Sequence, residues 1–263
     1  MQCDKCRSGA VFFQAGSGRH LCSRHLVMDI ETRAKRAIRS HRWMRPGDHI
    51  AVLLTGDRQS AALLHFFHTL TADRRDIRLS AVVYETAGAG EDRHPGARQV
   101  AESIGIPCIE IPSAGRIASA ADDTVTRVAI AITLDDVAQT MTGRFLLGDA
   151  DRLLNPSPEQ WSGIPAICPF ITIPSEEIDL YWESAGRSTG LPYLLPARDT
   201  LPQDISDLLK EYSCNHPGTR YALLHLAEQL SGGMAAGTVM PGVTGEEAPK
   251  INGRFRRSGR PNS

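Results

Sequence analysis

The chain has no apolar run approaching the ~20 residues needed to span a bilayer. Its first residues, Met1-Gln2-Cys3-Asp4-Lys5-Cys6, lack the basic and then apolar segment of a secretory signal. Both absences lead to the expectation of a soluble, cytoplasmic protein with no membrane partner. Lysine is scarce: Lys5, Lys35, Lys210 and Lys250 are the only lysines among 29 basic residues. Arginine suits bidentate phosphate contacts, although a genome-wide codon bias produces the same ratio. Internal repeats are absent, and so is net charge, which is formally -1. What is present, 263 residues with 41% hydrophobic and 22% charged, suits one large or two small globular domains. A short peptide, a fibrous protein and a wholly disordered chain are excluded.

The near-zero charge hides a segregation along the chain. Residues 1 to 50 carry a net +6, residues 249 to 263 a net +5 with no acid, and the body between them -12. Basic ends on an acidic body favour an anionic partner such as nucleic acid, though solvated faces and tails produce the same pattern.

Three of the six cysteines fall in the first 22 residues. Cys3 and Cys6 form a C-x2-C, and fifteen residues later Cys22 and His25 form a C-x2-H. Each pair can present two soft donors to one tetrahedral ion, and the loop between is long enough to join them. Three cysteines and one histidine cannot pair off as disulfides, and cytoplasmic thiols stay reduced. A closed, structural zinc site is therefore expected. Cys108, Cys168 and Cys214 are far apart in sequence and read as inert thiols.

Beyond the knuckle, Leu26 to Trp43 has helical apolar spacing, with Arg33, Lys35, Arg36, Arg39 and Arg42 on the other face. That face reads equally as an arm for RNA phosphates, through Arg33, Arg36, Arg39 and Arg42, or as ordinary solvated surface. From His49 an alternation begins. Strands are predicted over 50–54, 77–84, 107–111 and 128–132, and helices over 60–70, 96–104, 116–126 and 135–147. This grammar implies right-handed crossovers and a doubly wound parallel sheet. Residues 168–173 read as a short extended segment. A helix starts at Pro174-Ser175-Glu176-Glu177, and two more cover 202–212 and 217–230. The expected division is a knuckle and basic helix over 1–45, an α/β domain over 46–155, a helical extension over 156–231, and a disordered basic tail over 232–263.

Ligands of open parallel sheets bind at the carboxyl ends of the strands, which points to the loop from Thr55 to Ser60. There the sequence IAVLLTGDRQSAALL resembles the S-G-G-x-D-S loop of the PP-loop ATP pyrophosphatases, in which backbone amides at a helix N-terminus meet the pyrophosphate of ATP. The knuckle, the basic helix, Pro46-Gly47-Asp48, Leu134-Asp135-Asp136-Val137-Ala138-Gln139-Thr140, Pro169-Phe170, Glu176-Glu177-Ile178 and His216-Pro217-Gly218 extend the likeness. Together they resemble the tRNA 2-thiouridine synthetase branch of that superfamily, related to the 2-thiocytidine synthetases, over roughly residues 1 to 230. The resemblance implies an adenine nucleotide α-hydrolase-like domain, a zinc finger and a tRNA-binding extension. It also implies adenylation of a uridine C2 oxygen followed by sulfur transfer. Carried onto this sequence, it places ATP against Thr55, Gly56, Arg58, Ser60, Tyr84 and Asp136, and gives Asp135 a catalytic role.

The departures are specific. The second glycine of the loop is Asp57, whose carboxylate repels phosphate oxygens. The family's aspartate is Gln59, which cannot serve magnesium as an anion. Ile132-Thr133 stands where His-Asn precedes the paired aspartates, and such a pair also serves commonly as an N-cap with a first-turn acid. The family's C-x2-C between the third strand and those aspartates is missing, Leu191-Pro192-Tyr193 stands where its third cysteine precedes a proline, and the C-terminal zinc module is absent. The resulting expectations are structural zinc, an impaired site for ATP and magnesium, and no iron–sulfur cluster. In function, a non-catalytic paralogue that binds tRNA, another RNA or a partner subunit is preferred. The alternative is an active synthetase fed by an external sulfur carrier. A third reading is a regulatory subunit that forms a heterodimer with an active family member, and a homodimer is also compatible.

Overall fold

A computed structural model describes residues 1–85, 95–112, 124–149, 164–189 and 203–230. An antiparallel hairpin, β1 (Phe12–Gln14) with β2 (Arg19–Leu21), precedes helix α1 (Ser23–Ser40). Leu26, Ile30, Ala34, Ala37 and Ile38 are the buried residues of α1, one stripe at the 3.6-residue period. Its N-cap is Cys22, so the second half of the C-x2-C…C-x2-H pattern opens the helix.

Strands β3 (His49–Leu54), β4 (Arg78–Glu85), β5 (Cys108–Pro112), β6 (Arg127–Ala129) and β7 (Ala166–Ile167) form one parallel sheet in the order β5-β4-β3-β6-β7. Strand β3 lies centrally, its Ile50 to Leu54 run almost wholly buried, as a strand covered on both faces requires. Helices α2 (Arg58–Thr71) and α3 (Pro95–Ile104) connect β3 to β4 and β4 to β5, while α4 (Leu134–Leu146) lies between β6 and β7. The order in which strands are added therefore reverses between β3 and β6, which opens the switch-point crevice at their carboxyl ends. The doubly wound α/β fold expected from the sequence is present.

Two expectations need correction. The fifth strand is residues 166–167, and Cys168 to Ile173 is a turn closed by bonds from Ile171 N to Cys168 O and from Ile173 N to Phe170 O. Its apolar residues are buried by tertiary packing and not by strand pairing. The division at residue 155 also does not separate two cores. Strand β7 belongs to the sheet, and Phe170, Ile173, Ile178, Tyr181 and Trp182 share one cluster with β3 and α1. Helix α5 (Ser175–Thr189) packs on α1 and α2, while α6 (Gln203–Asn215) and α7 (Thr219–Leu230) pack on α4. Most of the expected 116–126 helix, the 191–193 tripeptide and the 232–263 tail lie outside the described residues. Among the described residues, no helix is long and apolar enough to cross a membrane.

Candidate metal centre and nucleotide loop

The N-terminal knuckle brings Cys3, Cys6, Cys22 and His25 together, with all four donor atoms within 4.8 Å of one another. Cys6 Sγ lies 3.7 Å from Cys22 Sγ, and His25 Nδ1 lies 3.4 Å from the sulfurs of both Cys3 and Cys22. A tetrahedron with metal–sulfur bonds of ~2.3 Å and metal–nitrogen bonds of ~2.0 Å has edges of about 3.6–3.8 Å. Those contacts are close to such edges, so the donors fit a metal. The backbone prepares the site, since Lys5 N donates to Cys3 Sγ and Cys6 N to Cys3 O. Burial alone would raise the Cys3 thiol, but hydrogen bonds from the backbone of Cys22, Lys5 and Cys6 and from the His25 ring bring it to about 6. At Cys22 the hydrogen bond from the His25 backbone lowers the thiol, but burial and the neighbouring Cys6 and Cys3 outweigh it and the net shift is upward. A bound cation offsets this mutual repulsion of thiolates.

At the carboxyl end of β3 the loop Thr55 to Ser60 is closed on itself. Gly56 takes φ +80°, a left-handed turn suited to glycine. Asp57 is the N-cap of α2: its Oδ1 accepts from Ser60 N at 2.8 Å and its Oδ2 from Thr55 Oγ1 at 2.7 Å. Ser60 Oγ in turn donates to Asp57 O and accepts from Thr55 N. The carboxylate thus sits at the helix N-terminus, where an anion would otherwise be attracted.

The surroundings are acidic. Arg58 pairs with Glu183 at 3.2 Å. Gln59 is buried; its Nε2 donates to Asp179 Oδ1 at 3.5 Å and its Oε1 has no partner among the described residues. Burial pushes the Asp179 carboxyl up to about 6, against the pull of Arg58. Burial likewise raises Asp136, with Asp135 and Asp57 adding to the effect. Across the crevice Cys168 is fully buried, its thiol raised by burial and by Asp136.

The paired aspartates are occupied structurally. Thr133 and Asp136 form a reciprocal capping box at the start of α4. Asp135 Oδ2 accepts from Ser175 N at 2.7 Å and from Ser175 Oγ, and Asp135 Oδ1 pairs with Arg220 at 3.0 Å. Asp135 therefore ties α4 to the first turn of α5 and to α7. Tyr84 lies in β4 opposite Ile111, one residue from that strand's end.

The four arginines expected to contact RNA separate into two groups. Arg33 pairs with Asp29 at 3.0 Å and with the buried Glu177, which also accepts from Gln14 Nε2. This network joins the hairpin, α1 and α5, so Arg33 is removed from the exposed set. Arg36, Arg39 and Arg42 stay exposed. Arg33→Ala would strand the Glu177 carboxylate without its cation, an expected loss of about 3 kcal/mol and a fall in Tm of roughly 6–12 °C. Arg33→Met with Glu177→Leu should recover most of it. Calorimetry checks both, and a neutral Arg33→Ala would show the pair to be dispensable. The pairing of Glu177 with Arg33 and Gln14 is not legible in the sequence, because these partners lie far away in the chain. Asp57 three residues before Ser60 was a cap signature within reach.

No family model matches the chain. It is 24% identical to the tRNA 2-thiolation protein NcsA of Haloferax volcanii over 280 residues, 88% of this chain and 87% of that protein. In fold it is similar to the U34-tRNA thiolase NcsA from Methanococcus maripaludis, solved with its 4Fe–4S cluster. That likeness has a TM-score of 0.75 at 18% identity, over 89% of this chain and 88% of that one. An NH3-dependent NAD synthetase from Campylobacter jejuni aligns over 80% of this chain and 93% of its own, at 13% identity and a TM-score of 0.37. The sequence relative supports the resemblance to the tRNA-thiolation branch of the PP-loop superfamily, and the Methanococcus structure supports the fold. The expectation that an iron–sulfur cluster is unlikely is overturned. The Methanococcus protein of this fold carries one, and the Cys3, Cys6, Cys22 and His25 donors supply a ligand set able to hold an ion or a cluster.

Proposed function

We propose that this chain acts in tRNA thiolation as a tRNA-binding PP-loop protein whose nucleotide loop is closed by its own Asp57. The capping of α2 by that carboxylate carries the reading. The amides that would meet a pyrophosphate have Asp57 in front of them, and the Asp136 and Asp179 carboxyls lie close enough to feel its charge. The 24% identity over 88% of the chain supports the substrate class. Cys3, Cys6, Cys22 and His25 would hold a metal centre, either a single ion or an iron–sulfur cluster.

One observation favours a second reading, an active ATP-dependent 2-thiouridine synthetase. The neighbour of the same fold carries a 4Fe–4S cluster, and a metal-ligating set stands in this chain. Mass spectrometry of tRNA nucleosides from cells with and without the gene tests the shared part, and loss of one thiolated nucleoside is expected. An unchanged nucleoside profile would remove thiolation from the proposal. Release of AMP from ATP by the purified protein with tRNA would favour the second reading over the first.

A further inference from the structure

Helix α1 begins at the metal donors and ends, about 27 Å along its axis, beside a second basic feature. There a cavity of about 380 Å³ opens between the last turns of α1 and α2. Lys35, Arg39, Arg42 and Arg74 ring it, and Ile38, Met44 and Leu70 provide apolar lining. The size falls within the range of small-ligand pockets. It lies at the amino-terminal edge of the sheet, away from the Thr55 to Ser60 loop, because α2 runs from that loop back along the sheet. Among the described residues, two acids answer the four cations: Glu31 pairs with Lys35 at 2.8 Å, and Asp76 pairs with Arg74. Among the described residues, no ion pair engages Arg39 or Arg42.

Among the described residues, Arg42 is also the one non-glycine residue with positive φ, at 53°. A cation in the last turn of a helix complements the macrodipole, which accounts for Arg39. Arg42 lies just beyond the helix, where Trp43 N bonds to Ile38 O and Arg42 N to Arg39 O, a Schellman-type cap that sets its left-handed backbone and holds its side chain at the rim of the cavity.

We propose that this pocket is a subsite for one nucleotide unit of RNA. Arg39 and Arg42 would hold the phosphate, and Ile38, Met44 and Leu70 would receive the ribose and base. The inference rests on the tRNA reading above and deepens it, because it places RNA on α1 through Arg39 and Arg42 and not through Arg33.

The test is fluorescence anisotropy of the full chain with labelled unfractionated tRNA over a salt series. Arg39→Ala with Arg42→Gly should weaken binding at least tenfold and lower the salt slope by about two. Arg36→Ala, on the same helix but outside the pocket, should change affinity less than twofold. Arg42→Gly alone should hold or raise Tm while weakening binding, a combination a purely structural role would not give. Asp76→Asn, which frees Arg74, should tighten binding several-fold. AMP at millimolar concentration should compete with the labelled tRNA for wild type. Stronger competition by AMP than by unlabelled tRNA would overturn the proposal in favour of a free-nucleotide site. Equal losses for Arg36→Ala and the pocket variant, or none for the latter, would overturn the pocket alone. Failure of wild type to bind tRNA would overturn both this inference and the tRNA reading.

Discussion

Replacing Cys22 with Ser is expected to remove the metal from the N-terminal knuckle and to unfold the segment before α1. Cys22 holds two positions at once: its Sγ is one of four convergent donors, and its backbone caps α1. Apart from the short β1–β2 hairpin and a Gln2–Gly9 bridge, residues 1 to 22 have little regular structure to hold their fold. Apparent binding energies of structural zinc in small fingers are about 10–16 kcal/mol. Here part of the segment is also anchored in the core, since Leu21 and Leu26 are fully buried. The expected loss is therefore smaller, on the order of 5–10 kcal/mol locally. Proteolysis should cut before residue 22 while the sheet keeps its cooperative transition. Elemental analysis of wild type for zinc and iron is expected to find metal on these donors, and about one ion per chain would report a single tetrahedral ion. Near four irons per chain would instead report a cluster on these donors. Neither metal, with an intact N-terminus, would remove the centre. Acidification from pH 7 to pH 5 should release the ion, because protons compete for the thiolates and the imidazole.

Much of the fold was legible because its determinants are local. Strand β3 announces itself as an apolar run between turn residues, and the stripe from Leu26 to Ile38 repeats at the helical period. The four metal donors stand in two short pairs, and each pair closes over a short turn. What was not legible depends on distant partners. Arg33 is chemically identical in sequence to Arg36 and Arg39, and only Glu177, 144 residues away, makes it structural. Cys168 to Ile173 is as apolar as a strand because it is buried, yet burial does not specify extension. The pocket cation Arg74 lies on the α2–β4 connection, far from the basic helix it faces. In the loop from Thr55 to Ser60, the sequence marks Asp57 as a charge repulsive to phosphate, and the structure shows the same carboxylate as a cap. Both follow from one fact, that α2 presents a positive N-terminus to whichever anion arrives first.

Asp57→Gly should turn the closed loop into one that accepts magnesium-ATP. The substitution costs little in fold, since Asp57 has φ -103° and ψ 168°, which glycine adopts freely, and glycine at an N-cap costs only a few tenths of a kcal/mol relative to Asp. It frees the Ser60 amide and the Thr55 hydroxyl for a phosphate oxygen. It also removes one negative charge from about 4 Å of that oxygen, worth on the order of 4 kcal/mol at an effective dielectric of 20, or nearly a thousandfold in affinity. Wild type is expected to show almost no thermal shift with millimolar magnesium-ATP, and Asp57→Gly a shift of several degrees. Pyrophosphate should act like ATP and adenosine should not, because the gain lies at the phosphates. Asp57→Asn separates the two effects: it keeps the side-chain acceptor for Ser60 N but loses the charge, so its affinity should fall between the others. Tight binding by wild type, or none by Asp57→Gly, would sink the closed-loop reading. Restoring the family's aspartate with Gln59→Asp is not expected to help by itself. Gln59 is buried against Asp179, whose carboxyl is already held up to about 6 by burial, and a second carboxyl there would be driven neutral and could not serve magnesium as an anion. The order of repair therefore matters: Asp57 must go first, and a Gln59→Asp change becomes useful only once a bound cation offsets Asp179.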